Sequence, residues 1–184
     1  MKALVQIPLS PYSGYGRDGI GLSQAMIRAG IDVYLDPTEV QAPLPEDVLG
    51  LLGKSPQAPF DIIIQHVDPT RMEARPSARQ STKMFVGWTM WEWTSLSNAK
   101  NRSKFKKRFK EFDALIAYDS VTAEALRPYY SGPILIVQGG YDPEIWKPVE
   151  RDWEGVFRFI QIGVLNARKN PWASIQAFAH ARNI

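Results

Sequence analysis

Residues 157–181 read FRFIQIGVLNARKNPWASIQAFAHA, and their pattern decides the fold class. Residues 157–162 are mostly apolar and stop at Gly163, as a buried strand does. Asn166, Arg168, Lys169 and Asn170 make a polar loop. Pro171 stands where the first turn of a helix tolerates proline, and Ile175, Ala177 and Phe178 follow on a helical pattern. A strand followed by a helix is half of a βαβ unit, which needs a second parallel strand to close it. None follows, so the sequence predicts a second Rossmann-like domain that is entered and left unfinished.

Upstream the same alternation repeats. Residues 2–7, 31–35, 60–65, 83–89, 113–117 and 133–137 are short apolar runs that read as strands. Helical spacing appears over 20–29, 46–52, 97–110 and 120–130, with Gly30 as the stop of the first. Strands and helices alternating roughly every 25 to 30 residues predict an α/β protein with a doubly wound parallel sheet. Residues 138–154, with glycine, proline, charges and two tryptophans, read as a linker. The expected division is a first domain over 1–150 and the incomplete second over 151–184. In a doubly wound sheet, ligands bind outside the carboxyl ends of the strands. That rule selects the loops 8–19, 66–71, 88–96 and 138–142.

Composition narrows the chemistry. The chain has 184 residues, 45% of them hydrophobic, enough for one ordinary core with a little over. No run of apolar residues is long enough to span a membrane, and the opening MKALVQIP reads as a strand, not a signal peptide. There is no cysteine, hence no disulfide and no thiol nucleophile, which fits a reducing, cytoplasmic setting. With His66 and His180 as its only histidines, the chain lacks a structural zinc set. The net charge of +3 is local: seven basic and no acidic residues fall between positions 97 and 110. This is a patch, not a nucleic-acid signature. Phe105, Phe109 and Phe112 recur at helical spacing beside it, so the stretch reads either as a solvated helix with a core stripe or as a surface that rests on an anionic membrane.

Three groups of residues carry chemistry. Gly14-Tyr15-Gly16-Arg17-Asp18-Gly19 spells GxGxxG between a strand and a helix, with Asp32 and Asp36 further on. As a dinucleotide fingerprint it is displaced, because PLSPYS separates it from the strand and the turn must follow the strand directly. The other reading is a glycine-rich loop whose N–H groups meet a phosphate or an acceptor. His66 ends the run DIIIQH at a strand's carboxyl end, where it suits sugar binding, proton transfer or a structural role. Trp88, Trp91 and Trp93 surround Glu92 within six residues. Aromatic faces stack on sugar rings and a carboxylate accepts hydrogen bonds from hydroxyls, so the composition suits carbohydrate; packing beneath a lid is the alternative.

The segment 157–181 resembles the opening of the nucleotide-sugar domain of two-domain (GT-B) glycosyltransferases of the retaining, family 4-like group. Gly163, Lys169 and the helix pattern Ile175, Ala177, Phe178 match; Val164 replaces the usual arginine, with Arg168 as a substitute beside the lysine, and Asn170 replaces a glycine. EFDALIAYDS at 111–120 and VQGGYDPEIWKP at 137–148 are similar to further segments of that family, in the expected order.

The resemblance implies transfer of a sugar from a nucleotide sugar, UDP- or GDP-linked, to a hydroxyl of a carbohydrate, lipid-linked or protein acceptor, with retention and without a metal or other cofactor. It implies donor contacts at Arg168, Lys169, Asn166, Gly14, Tyr15 and Gly16, acceptor contacts at Trp88, Trp91, Trp93 and Tyr12, and chemistry at Glu92 and His66. Lys169 and Arg168 would neutralise the leaving diphosphate. Peripheral membrane contact through 97–110 fits such acceptors. A chain that stops before the donor site is complete is expected to have little transferase activity alone, and its unpaired strand 157–162 invites homodimerisation. The alternatives are a carbohydrate- or nucleotide-binding module without catalysis, complete at this length, and a dehydrogenase-like nucleotide binder.

Overall fold

The computed structural model describes residues 1–55, 57–74, 76–92, 96, 102–141, 143–144, 146–150, 159–160, 162 and 167–182. The chain divides into two compact units, Met1–Tyr141 and Asp142–Ile184.

The first unit is a doubly wound α/β sheet, as the alternation of strands and helices predicts. Its elements run β1 (Lys2–Gln6), β2 (Pro8–Leu9), α1 (Gly14–Arg28), β3 (Asp32–Leu35), β4 (Glu39–Val40), α2 (Glu46–Leu52), β5 (Phe60–His66), α3 (Pro76–Gln80), β6 (Thr82–Thr89), α4 (Arg102–Phe109), β7 (Ala114–Ala117), α5 (Ser120–Leu126) and β8 (Ile134–Ile136). Six strands form one parallel sheet in the order β3-β1-β5-β6-β7-β8. The short pair β2–β4 extends from it as a separate parallel ribbon.

Successive residues of a strand face opposite sides, and the core divides accordingly. One side carries Ile63, Phe85 and Leu115 under Phe105, Phe109, Phe112 and Leu126. The other carries Ala3, Val5, Val33 and Leu35 under Met26 of α1 and Val48 and Leu51 of α2. The phenylalanine stripe beside the basic run is therefore core: all three rings are buried, while Lys104, Lys106 and Lys107 of α4 are exposed. At the carboxyl end of the first side the apolar layer gives way to amides. The Gln6 side chain donates to Asp36 at 2.9 Å, Gln65 donates to Gln6 Oε1 at 3.2 Å, and the Glu73 N–H donates to Gln65 Oε1 at 2.8 Å.

The main difference from expectation lies at 8–19, which is not a loop throughout. Ser13, in extended conformation, caps α1 by accepting the Gly16 N–H at 3.1 Å, so the helix begins at Gly14 and takes in the whole GxGxxG run. Glycine is needed there for proximity. A Cβ on Gly16 would lie 2.4 Å from the Ser10 carbonyl oxygen, and one on Gly19 would lie 2.2 Å from that of Pro8. Gly30, at φ +71°, ends α1 as expected. α5 is shorter than its expected 120–130, because Pro128 cannot extend the hydrogen-bond ladder and Tyr129 and Tyr130 turn into the core. The ribbon β2–β4 and α3 carry too few residues for any period to show.

In the second unit a single 3-10 turn, Ala167–Lys169, precedes α6 (Pro171–Arg182). Asn170 sits between them at φ +43°, the left-handed region that glycine and asparagine tolerate, and its side chain accepts the Ala173 N–H at 3.4 Å. Pro171 opens the helix as read. The strand expected over 157–162 lies largely outside the described residues. Phe159, Ile160 and Ile162 are described, exposed and in no strand, since no second strand pairs with them among the described residues. Phe159 meets Phe178 edge to face, with ring centres 5.5 Å apart. No described helix is long and apolar enough to cross a membrane.

Candidate functional site: an aromatic cluster at the switch point

The chain leaves β1 toward β3 on one side and returns to β5 on the other, so the strand order reverses between β1 and β5. Doubly wound sheets bind ligands outside the carboxyl ends at that point. Here those ends present His66, the last residue of β5, and Trp88, its register partner on β6.

His66 is held on every side. It is 1% exposed. Its Nδ1 lies 3.0 Å from the Trp88 carbonyl oxygen. A carbonyl can only accept, so Nδ1 carries the hydrogen in this contact. Its Nε2 lies 3.4 Å from the Tyr118 hydroxyl and 3.8 Å from Asp18 Oδ2. The rings of Tyr15, Trp88 and Tyr118 surround it at centroid distances of 5.1, 5.2 and 5.8 Å. Trp88 and Tyr118 are themselves 5.6 Å apart.

Each neighbour has its own support. Tyr15 and Asp18 lie three apart on α1 and so share a face of that helix. The Tyr15 hydroxyl donates to the Met90 carbonyl at 2.6 Å and accepts the Met90 N–H at 3.1 Å. Thr89, fully buried, donates to the Val67 carbonyl at 2.8 Å, which ties the ends of β5 and β6 together. Burial pushes the Tyr15 phenol above its usual range. Burial, reinforced by the Asp18 carboxylate, pushes Tyr118 far above it. Both therefore stay neutral hydrogen-bonding groups. The Trp88 indole N–H is buried and has no hydrogen-bond partner among the described residues. An unmet buried donor of this kind costs about 1–3 kcal/mol, and an acceptor atom brought by a ligand would recover it.

Of the residues singled out from sequence, the fold brings Tyr15, His66 and Trp88 together. Gly14 and Gly16 lie in the first turn of α1 on either side of Tyr15; Gly16 serves the cap and the approach to Ser10, while a Cβ on Gly14 would meet nothing within 4 Å. Tyr12 is 71% exposed and makes no ring contact among the described residues. Trp91 packs against the core, and its N–H and carbonyl both engage the Thr122 hydroxyl at 3.2 Å. Glu92 is exposed, three residues past the end of β6. Lys169 belongs to the 3-10 turn of the second unit, as does the backbone of Arg168. Trp93, Asn166 and the Arg168 side chain lie outside the described residues.

Sequence reasoning missed Asp18 and Tyr118. Asp18 is visible as the residue one helical turn after Tyr15, once the helix is known to start at Gly14. Tyr118 is the first residue past β7, where the same strand-end rule applies. No group of histidine, cysteine or acidic side chains that could hold a metal ion occurs among the described residues. No known family model matches the chain, and a search of curated proteins finds no match.

Proposed function

We propose that the chain handles sugars as part of a two-domain glycosyltransferase of the GT-B type, which moves a sugar from a UDP- or GDP-sugar to an acceptor hydroxyl with retention. The observation that supports this best is the cluster at the switch point: three aromatic rings and a carboxylate, Asp18, around one fixed imidazole. Rings of Tyr15, Trp88 and Tyr118 offer apolar faces to a pyranose. Asp18, 34% exposed, can accept a hydrogen bond from a sugar hydroxyl. His66 stands behind it and fixes the Trp88 backbone, which makes it a positioning residue in this arrangement. Glu92 and the tryptophan-rich segment after β6 are assigned to the acceptor, and Arg168 and Lys169 to the leaving diphosphate. The Phe-lined α4 adds only outward charge, so any peripheral membrane contact by it would be electrostatic.

A second reading, carbohydrate binding without catalysis, draws on the enclosure of His66: a general base must come within hydrogen-bond reach of the proton it takes.

Tryptophan fluorescence during titration with a panel of monosaccharides and nucleotide sugars tests both readings. Saturable quenching is expected, weakened roughly tenfold by Asp18→Asn through loss of a charge-assisted hydrogen bond. Release of nucleoside diphosphate in the presence of acceptor separates transfer from binding alone. Absence of any saturable response across the panel would refute both.

A further inference from the structure

We infer a second, independent site for a phosphate-class anion at the opposite end of the first unit. Helices of a doubly wound sheet run back from the carboxyl to the amino ends of the strands. The carboxyl ends of α4 and α5 therefore lie by the starts of β7 and β8, away from the His66 cluster. A cavity of about 260 Å³ opens there, lined by Lys106 and Lys110 from α4 and by Arg127, Tyr129, Tyr130 and Ser131 from the turn after α5.

Its charge is unbalanced. No acidic residue lines it. Lys110 has one loose partner, Glu111, at 4.0 Å. Lys106 and Arg127 have no ion-pair partner among the described residues. Cations at helix carboxyl ends are commonly explained by the dipole and by the orphan carbonyls. Two helix ends amount to about one unit of negative charge in all, fewer than the three cations present. None of the three side chains hydrogen-bonds a terminal carbonyl among the described residues, so they are not acting as caps.

The wall of the cavity is also firm. Tyr130 is anchored by its hydroxyl to the Phe112 carbonyl at 3.0 Å, and the Tyr129 ring packs edge to face on Phe105 at 5.6 Å. The Tyr129 hydroxyl has no hydrogen-bond partner among the described residues. Three cations with Tyr129 and Ser131 beside them, lining one concave space, suit the oxygens of a phosphate dianion. The room left over suits a small phosphomonoester or the headgroup phosphate of an anionic lipid.

The test uses the intact chain and two probes. The first is pyrophosphate up to about 10 mM at low ionic strength, where screening is weak, followed by amide NMR shifts. The second is sedimentation with vesicles of phosphatidylcholine alone or with phosphatidylglycerol. Shifts are expected at Lys106, Arg127 and Tyr129, and the double variant Lys106→Gln/Arg127→Gln is expected to weaken binding at least tenfold. The control Lys104→Gln/Lys107→Gln removes the same charge from α4 outside the cavity and should change binding less than about twofold. Binding of pyrophosphate identifies a soluble phosphate ligand; binding only to the anionic vesicles identifies a lipid headgroup. Equal loss in both double variants would overturn the site in favour of diffuse charge, and so would binding of neither probe. All of these variants alter exposed side chains, and the dispersion of the same amide NMR spectrum reports whether they are folded.

Discussion

Gly19 and Gly21 lie two residues apart on α1, and the same substitution at each should act in opposite directions. At Gly19 a Cβ would sit 2.2 Å from the Pro8 carbonyl oxygen and 2.9 Å from Ile7 Cγ1, while at Gly21 nothing lies within 4 Å. Ordinary contact begins near 3.4 Å, so Gly19→Ala must push α1 off the strands by about 1 Å, and overpacking of that kind costs roughly 1–3 kcal/mol. Each alanine also recovers about 0.5–1 kcal/mol of helix propensity. The net expectation is a loss of up to about 2.5 kcal/mol for Gly19→Ala and an increase of about 0.5–1 kcal/mol for Gly21→Ala; the propensity gain is common to both, so the two differ by the overpacking cost of roughly 1–3 kcal/mol. For a chain of this size the two variants should then melt roughly 2–12 °C apart. Urea and thermal unfolding followed by circular dichroism would measure it. Because Tyr15 is carried on the same helix, Gly19→Ala should also disturb its bond to Met90, visible in the NMR signals of the His66 cluster. Equal midpoints for the two variants would refute the claim that α1 touches the sheet through Gly19.

Two further outcomes follow from the same geometry. Tyr15, Tyr118 and Tyr130 are each raised above the ordinary 10.0, by burial first, so their neutral forms favour the folded state. Their contribution is intact below pH 10 and is lost as pH rises beyond it, because the unfolded chain ionises first. An alkaline titration by phenolate absorbance should show three late ionisations coincident with unfolding, and two in Tyr118→Phe; three in that variant would contradict the burial argument. At α5, Asp119 caps the helix by accepting the Thr122 N–H at 2.6 Å. Asp119→Ala should cost about 0.5–2 kcal/mol in urea unfolding, with Asp119→Asn close to the parent, since asparagine caps as well. It should also loosen Trp91, which Thr122 holds through both backbone groups.

The architecture of the first unit was legible because its strands are apolar runs separated by helical spacing, and the parallel arrangement follows from that alternation. What escaped the sequence was set by distance in space. The glycines of 14–19 looked like a loop because glycine is poor in helices, whereas the demand for proximity to Ser10 and Pro8 comes from strands that the helix reaches only after folding. His66 and Trp88 were visible as strand-end residues. Asp18 and Tyr118 complete the cluster only through the register β5–β6–β7 and the start of α1, neither of which a period can reveal. Trp91 reads from sequence as a stacking platform; its packing against the core comes from contacts across the fold that no spacing reveals.

The amide run at the far side of the same strand ends has a fixed order of partners. Gln65 exchanges both of its amide atoms with the Glu73 backbone, accepting the N–H and donating to the carbonyl at 3.1 Å, and the run then goes on by donation from Gln65 to Gln6 and from Gln6 to the Asp36 carboxylate. A parallel strand that slipped by two residues would keep its apolar faces inward and lose little packing. It could not keep this sequence of donors and acceptors, because no single amide can reverse without stranding its neighbours on both sides. Polarity thus supplies what alternation leaves degenerate: a unique vertical alignment of β1 against β5, at the end of the sheet where the aromatic cluster depends on it.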